Sequence, residues 1–250
     1  MSGHSKWHNI RLRKGKQDAE RGKMFTKLAR DIIVAAREGG GNPDANNQLK
    51  LAVQKARENS MPADNIKRAI QRGAGGVDGA NYEEIIYEGY GPGGVAVLVN
   101  CLTDNRNRTV SELRTTFSKN NGSLGESGCV AWMFDPKGVV TIQKDTVDED
   151  TLMLAALDAG AEDILTEGDV YEVYSSVEGL ASLRQALTDA GIEFVSAEAT
   201  MLPKSTVKLD AKTAMQVLRM MDQLEDLDDV QQVHANFDID EEILEAAAAE

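Results

Sequence analysis

Nine Lys and Arg residues against two Asp and Glu fall within the first 30 positions, MSGHSKWHNIRLRKGKQDAERGKMFTKLAR. Positive side chains at that density suit one chemistry above others: neutralising phosphates, as point charges from Lys and as bidentate forks from Arg. Spacing divides the group. Lys6, Arg11, Arg13, Lys14 and Lys16, with Trp7 among them, form a leader with little secondary-structure signal. Such a segment can order itself on RNA, stacking Trp7 on an unpaired base, or lie in a DNA groove. Lys23, Lys27, Arg30 and Arg37 follow at steps of four, three and seven, which puts them within a sector of roughly 80° on one side of a helix. Asp31 and Glu38 are displaced to the flank, so ion-pair relief is scarce and the stripe favours nucleic-acid contact over a merely solvated face. Arg106 and Arg108 make a further candidate. They sit in DNRNRT, just before a helix predicted to start at Thr109, where Thr109 and Glu112 form a capping box. Two readings stand for them: an anion site beside unpaired helix amides, or pairing with carboxylates of the same chain.

Other chemistry finds little support. His4 and His8 lie four apart but lack a third ligand or a metalloprotease Glu. His234 falls on an expected strand with no nucleophile elbow nearby. Cys101 and Cys129 have no Cys-x-x-Cys spacing, which argues for reduced thiols rather than a zinc site or disulfide framework. GPGG at 91–94 lacks the Lys-Ser/Thr of a phosphate loop and reads as a turn. No carboxylate pair stands out as acid and base. The expectation is a non-enzymatic protein with no catalytic residues, no metal and no cofactor.

The elements that must position the cations follow from hydrophobic periodicity. Met24, Phe25, Leu28, Ile32, Ala35 and Ala36 recur at helical spacing behind the stripe. GGGNPDAN at 39–46 ends that helix, a second begins near Asp44, and a third runs from Ala63 to Arg72 with Lys67, Arg68 and Arg72 outward. After the glycine-rich stretch AGGVDGAN the pattern alternates: YEEIIYEGY and GVAVLVNCLT as strands, the helix from Thr109, then CVAWMF and GVVTIQ as strands around a turn at DPKG. Helices near 148–159 and 178–190, strands AEDILT, VYEVYS and IEFVSAE, and a faint repeat at 30 or 31 residues complete a β-α-β-β-α-β unit. A helix behind Asp210 and a strand VQQVHANF supply what the earlier strands lack. The expected fold class is α+β with three domains: an N-terminal helical domain, then two sandwich-like α/β domains, one ferredoxin-like and inserted in the other. The expected boundaries are 1–78, 79–135 with 201–240, and 136–200.

Charge follows this division. Residues 1–76 hold sixteen Lys and Arg against seven Asp and Glu, a net of +9, while the other 174 hold eleven against thirty-four, a net of −23. A basic block on an acidic body points to a polyanionic partner for the block. The longest aliphatic runs, IIVAA and VAVLV, are far too short to span a bilayer, so a cytoplasmic protein with no membrane partner is expected.

GHSKW at 3–7, RGKMFTKL at 21–28, GGGNPDAN, YEGYGPGG at 87–94, DNRNRT at 104–109 and GSLGESGCVAWMF at 122–134 resemble the YebC family, bacterial proteins related to a mitochondrial activator of translation. The resemblance covers nearly the whole chain. It implies a helical domain followed by two α/β domains, and work in gene expression. Members are described as probable transcriptional regulators that bind DNA, and relatives as ribosomal translation factors that relieve difficult peptide-bond formation. It brings no catalytic residues. DNA and ribosomal RNA remain alternative partners, since a basic stripe reads phosphate on either.

Overall fold

The computed structural model describes residues 18–75, 82–240 and 243. Three helices, α1 (Asp18–Gly39), α2 (Asn47–Glu58) and α3 (Ala63–Ala74), pack Leu28, Ile32, Ala36, Leu49, Val53 and Ile66 into a core of their own. Asn46 joins two of them: its Oδ1 accepts from the amide of Leu49, capping α2, while its Nδ2 donates to the carbonyls of Ala35 and Gly40 at the end of α1. That cap starts α2 at Asn47, three residues beyond the expected Asp44. Gly73 lets α3 lie directly on α1, for a Cβ there would meet the carbonyl oxygen of Ile33 at 2.4 Å.

The next sheet runs in the order β3-β1-β2-β9, from β1 (Glu83–Tyr90), β2 (Ala96–Thr103), β3 (Ser123–Leu124) and β9 (Val230–Ala235). The β9 strand, far along the chain, pairs antiparallel with β2, Val99 opposite Val233. Helices α4 (Arg106–Lys119) and α7 (Ala211–Glu225) supply Leu113, Phe117, Val217, Met221 and Leu224 to the core of one sheet face. On the other, Ala96 and Leu98 meet Val130 and Phe134.

Between these pieces lies the inserted unit: β4 (Phe134–Gln143), α5 (Glu149–Asp158), β5 (Asp163–Glu167), β6 (Val170–Ser175), α6 (Leu180–Asp189) and β7 (Ser196–Pro203). Its antiparallel sheet has the order β5-β6-β4-β7, the ferredoxin-like arrangement. Val140, Ile142, Leu152, Val173, Leu183 and Leu187 fill its core. Short strands β8 (Val207–Lys208) and β10 (Phe237–Asp238) pair in parallel beside the middle sheet. The fold is thus α+β in three domains, with the ferredoxin-like domain inserted in the middle one.

Local boundaries differ from the periodicity in three informative places. CVAWMF is not a strand: Ala131–Met133 forms a 3₁₀ turn, because the Glu88 carboxylate accepts from the amides of Gly128, Val130 and Ala131 at 2.5, 2.7 and 2.7 Å and gathers that main chain around it. The expected DPKG turn is instead the start of β4, where Pro136 pairs only with Met201 of β7; β6 joins from Gly138 onward, so the missing amide of Pro136 faces an open edge. Finally, α4 starts at Arg106 rather than Thr109, since Asn105 caps it by accepting from the amide of Arg108.

Candidate nucleic-acid interface

The stripe of α1 faces inward, across a domain boundary. Its apolar face is buried as expected, and three of its cations, Lys23, Lys27 and Arg30, meet the C-terminal end of α7. Lys23 pairs with Asp226 at 3.3 Å, the Lys27 ammonium donates to the carbonyl of Glu225 at 2.5 Å, and Arg30 donates to the carbonyl of Asp228 and to Asp229 Oδ1, the latter at 3.1 Å. A helix C-terminus presents unpaired carbonyls and the negative end of the helix dipole, so cations are drawn there as they are to phosphate. Burial pushes the Lys27 pKa down, against the opposing pull of Glu225, Asp226 and Asp228. The Arg30 guanidinium also lies 5.6 Å from the centroid of Tyr82.

Asp229 is the centre of the junction. Its side chain is 2% exposed. It takes Arg30 from the helical domain and, from its own domain, Arg108 Nη2 at 2.8 Å, Thr109 Oγ1 at 2.8 Å and Thr103 Oγ1 at 3.1 Å. Burial raises the pKa of its carboxyl, but the hydrogen bonds from Arg108, Thr109 and Thr103 outweigh burial and hold it below the usual carboxylate range. Arg108 also pairs with Asp104 at 2.8 Å, and Arg106 pairs with Glu83 at 2.6 Å. Of the two readings of these arginines, pairing within the chain is the arrangement present. Thr109, drawn to Asp229, is buried in the first turns of α4 rather than capping it. Sequence reasoning passed over Asp229; the one signal available was an acidic pair, Asp228-Asp229, directly before an expected strand.

A cleft of about 450 Å³ opens at this junction, with Lys23, Arg30 and Arg108 on its walls among Asp104, Glu112 and Asp226. The helical domain also touches the inserted one, where Arg184 of α6 pairs with Glu58 of α2 at 2.6 Å. Its outward side is different in character. Lys50, Lys55 and Arg57 on α2 and Lys67, Arg68 and Arg72 on α3 are all exposed. Between α2 and α3 a smaller groove of about 250 Å³ has Val53, Ile66 and Ile70 as its floor and Arg57 and Lys67 at its rim. The leader residues Lys6, Trp7, Arg11, Arg13, Lys14 and Lys16 lie outside the described residues.

The remaining reactive side chains are placed for packing. Burial pushes the Cys101 thiol up to about 12, which keeps it protonated and inert. His234 is buried, with Nδ1 3.3 Å from Thr200 Oγ1 of β7. Among the described residues no group of three or more His, Cys, Asp or Glu is arranged to hold a metal ion, and no helix is long and apolar enough to cross a membrane.

Comparison with known proteins matches residues 5–76 to the N-terminal domain of TACO1/YebC proteins and residues 82–237 to their second and third domains. The chain belongs to the TACO1/YebC family. Among curated relatives, one from Geobacter sulfurreducens is 57% identical over 98% of this chain and 99% of its own length, and one from Pelotomaculum thermopropionicum is 55% identical over 96% and 100%. Both are named probable transcriptional regulatory proteins. The crystal structure of a conserved hypothetical protein from Aquifex aeolicus matches with a TM-score of 0.83 at 48% identity, covering 92% of this chain and 95% of that one.

Proposed function

We propose that this TACO1/YebC protein is a non-enzymatic, cytoplasmic regulator of gene expression that holds DNA through its basic helical domain. The observation that carries the reading is the exposed set Lys50, Lys55, Arg57, Lys67, Arg68 and Arg72 on α2 and α3, in a segment whose net charge is +9 while the rest of the chain carries −23. An acidic body repels a polyanion except where the cations are segregated, so the helical domain is the side that meets it. The leader cations Lys6, Arg11, Arg13, Lys14 and Lys16, with Trp7, extend the same footprint. The names of the relatives as probable transcriptional regulators support the reading. We divide the chain functionally at the boundaries 1–78, 79–135 with 201–240, and 136–200.

A second reading, a ribosome-associated translation factor binding ribosomal RNA, is favoured by one feature of α3. On its outward side Lys67, Arg68 and Arg72 stand with Asp64 and Gln71, and Arg68 is tied to Asn65 Oδ1 at 2.5 Å, a mostly cationic set that suits phosphates of any duplex more than a row of base edges. Crosslinking in cells, with attached DNA and RNA sequenced separately, chooses between the two. Reversing Lys67, Arg68 and Arg72 to Glu should weaken binding at least tenfold and flatten its salt dependence; unchanged affinity would reject the outward face as the interface.

A further inference from the structure

We infer that the junction between the helical and middle domains is a second phosphate-polymer site, composed of Lys23, Lys27 and Arg30 and closed by the chain's own acidic segment Glu225–Asp229. This rests on the nucleic-acid reading above and names a further surface for it. Every contact the stripe makes with that segment is one a phosphate oxygen makes equally well: Lys23 to a carboxylate, Lys27 to a carbonyl, Arg30 to a carbonyl and a carboxylate.

The contacts differ in how readily they are exchanged. Lys23 and Asp226 are 48% and 61% exposed, and an ion pair that open to water is weakly held. Lys27 leaves an environment that disfavours its charge and regains solvent. Arg30 departs from a buried carboxylate, yet Asp229 keeps Arg108, Thr103 and Thr109, so no buried charge is stranded. The cleft at the junction already admits solvent between the two sets of charges. A single strand or duplex can therefore displace the segment stepwise, Lys23 first, and take over the stripe as the domains part.

The test uses the full chain, a twenty-nucleotide single-stranded RNA and a DNA duplex of the same length as probes, and salt titration of the affinity. Asp226→Asn with Asp228→Asn removes competing charge and leaves Asp229 in place. The expected result is a three- to tenfold tighter complex whose salt slope steepens by about two; adding Lys23→Gln and Lys27→Gln to that variant should abolish the gain. Wild-type affinity and slope in the Asn variant, while Lys67→Glu with Arg68→Glu still weakens binding, would overturn the second site and leave the outward face standing. If Lys67→Glu with Arg68→Glu changes nothing, the underlying reading falls instead. Fluorophores at Asp64 in α3 and Lys119 in α4 of the unmutated junction give an independent measure: the distance should lengthen on adding saturating RNA or DNA, and a constant distance would overturn the proposal.

Discussion

Arg30, from the middle of α1, and Asp229, beyond the end of α7, meet at 3.1 Å across a domain boundary and 199 positions of sequence. The carboxylate they share with Arg108 is the most enclosed charge at that junction, with side-chain exposure of 2% against 14% for Arg30. Removing it takes the buried acceptor from Arg30 and Arg108 at once, leaving Arg108 its pair with Asp104. Asp229→Ala should therefore cost about 3 kcal/mol of unfolding free energy, read by urea denaturation, whereas Lys23→Ala, at an exposed pair, should cost less than about 1 kcal/mol. Equal losses would show that Asp229 is not the anchor.

Asp31 predicts the opposite effect of removing a charge. Burial raises its pKa to about 6, with Glu84 adding to the rise and Lys55 and Lys27 opposing it. A carboxyl whose folded pKa lies above its unfolded one binds more protons when folded between the two values, so stability falls as pH rises from about 4 to about 6 and stays lower above that. Asp31→Asn should therefore stabilise the protein at pH 7.5 by on the order of 1 kcal/mol and flatten the change between pH 4 and 6. Thermal melts at several pH values check both.

Glu88 titrates the other way. Burial raises its pKa, but the amides of Gly128, Val130 and Ala131 outweigh burial and hold it below the usual carboxylate range. Its contribution is complete above about pH 4 and is lost as pH falls through the lower folded value. Glu88→Gln, which keeps one acceptor oxygen, should cost about 2 kcal/mol at pH 7 and remove part of the acid sensitivity. Because Trp132 sits on the turn that Glu88 organises, 67% exposed and donating from Nε1 to the carbonyl of Cys129, its fluorescence and the protease sensitivity of residues 125–131 should change as well. An unaltered turn would refute the anchoring role.

Gly73→Ala tests the packing of the helical domain. The added methyl would lie 2.4 Å from the carbonyl oxygen of Ile33 and 2.8 Å from Ala36 Cβ, so α3 must move off α1. A loss of about 2 kcal/mol is expected, with hydrogen exchange in α1 to α3 accelerating while the ferredoxin-like domain is unaffected. Uniform acceleration would mean that the domains unfold together.

Much of this was legible in the chain itself. The periodic apolar residues of α1 and α7 mark helices because a 3.6-residue repeat has one way to bury a stripe, and the alternation and repeat around residues 140–198 specify the ferredoxin-like unit. The segregation of charge between residues 1–76 and the remainder is likewise a property of sequence alone. What periodicity could not tell is which surface each charge meets. A wheel places Lys23, Lys27 and Arg30 on one side of a helix without saying whether water, phosphate or another domain lies there. That is decided by the end of α7, whose carbonyls and carboxylates attract cations as a phosphate backbone does, and by a strand, β9, that returns to pair with β2 from beyond the insertion. The same long-range pairing sets Asp229 beside Arg108 and Thr109 and turns an expected helix cap into a buried hydrogen bond. Local pattern fixes elements through short-range sterics and hydrophobic periodicity; the partners of Lys27, Arg30 and Asp229 are fixed by contacts more than a hundred residues apart, which only the assembled fold brings together.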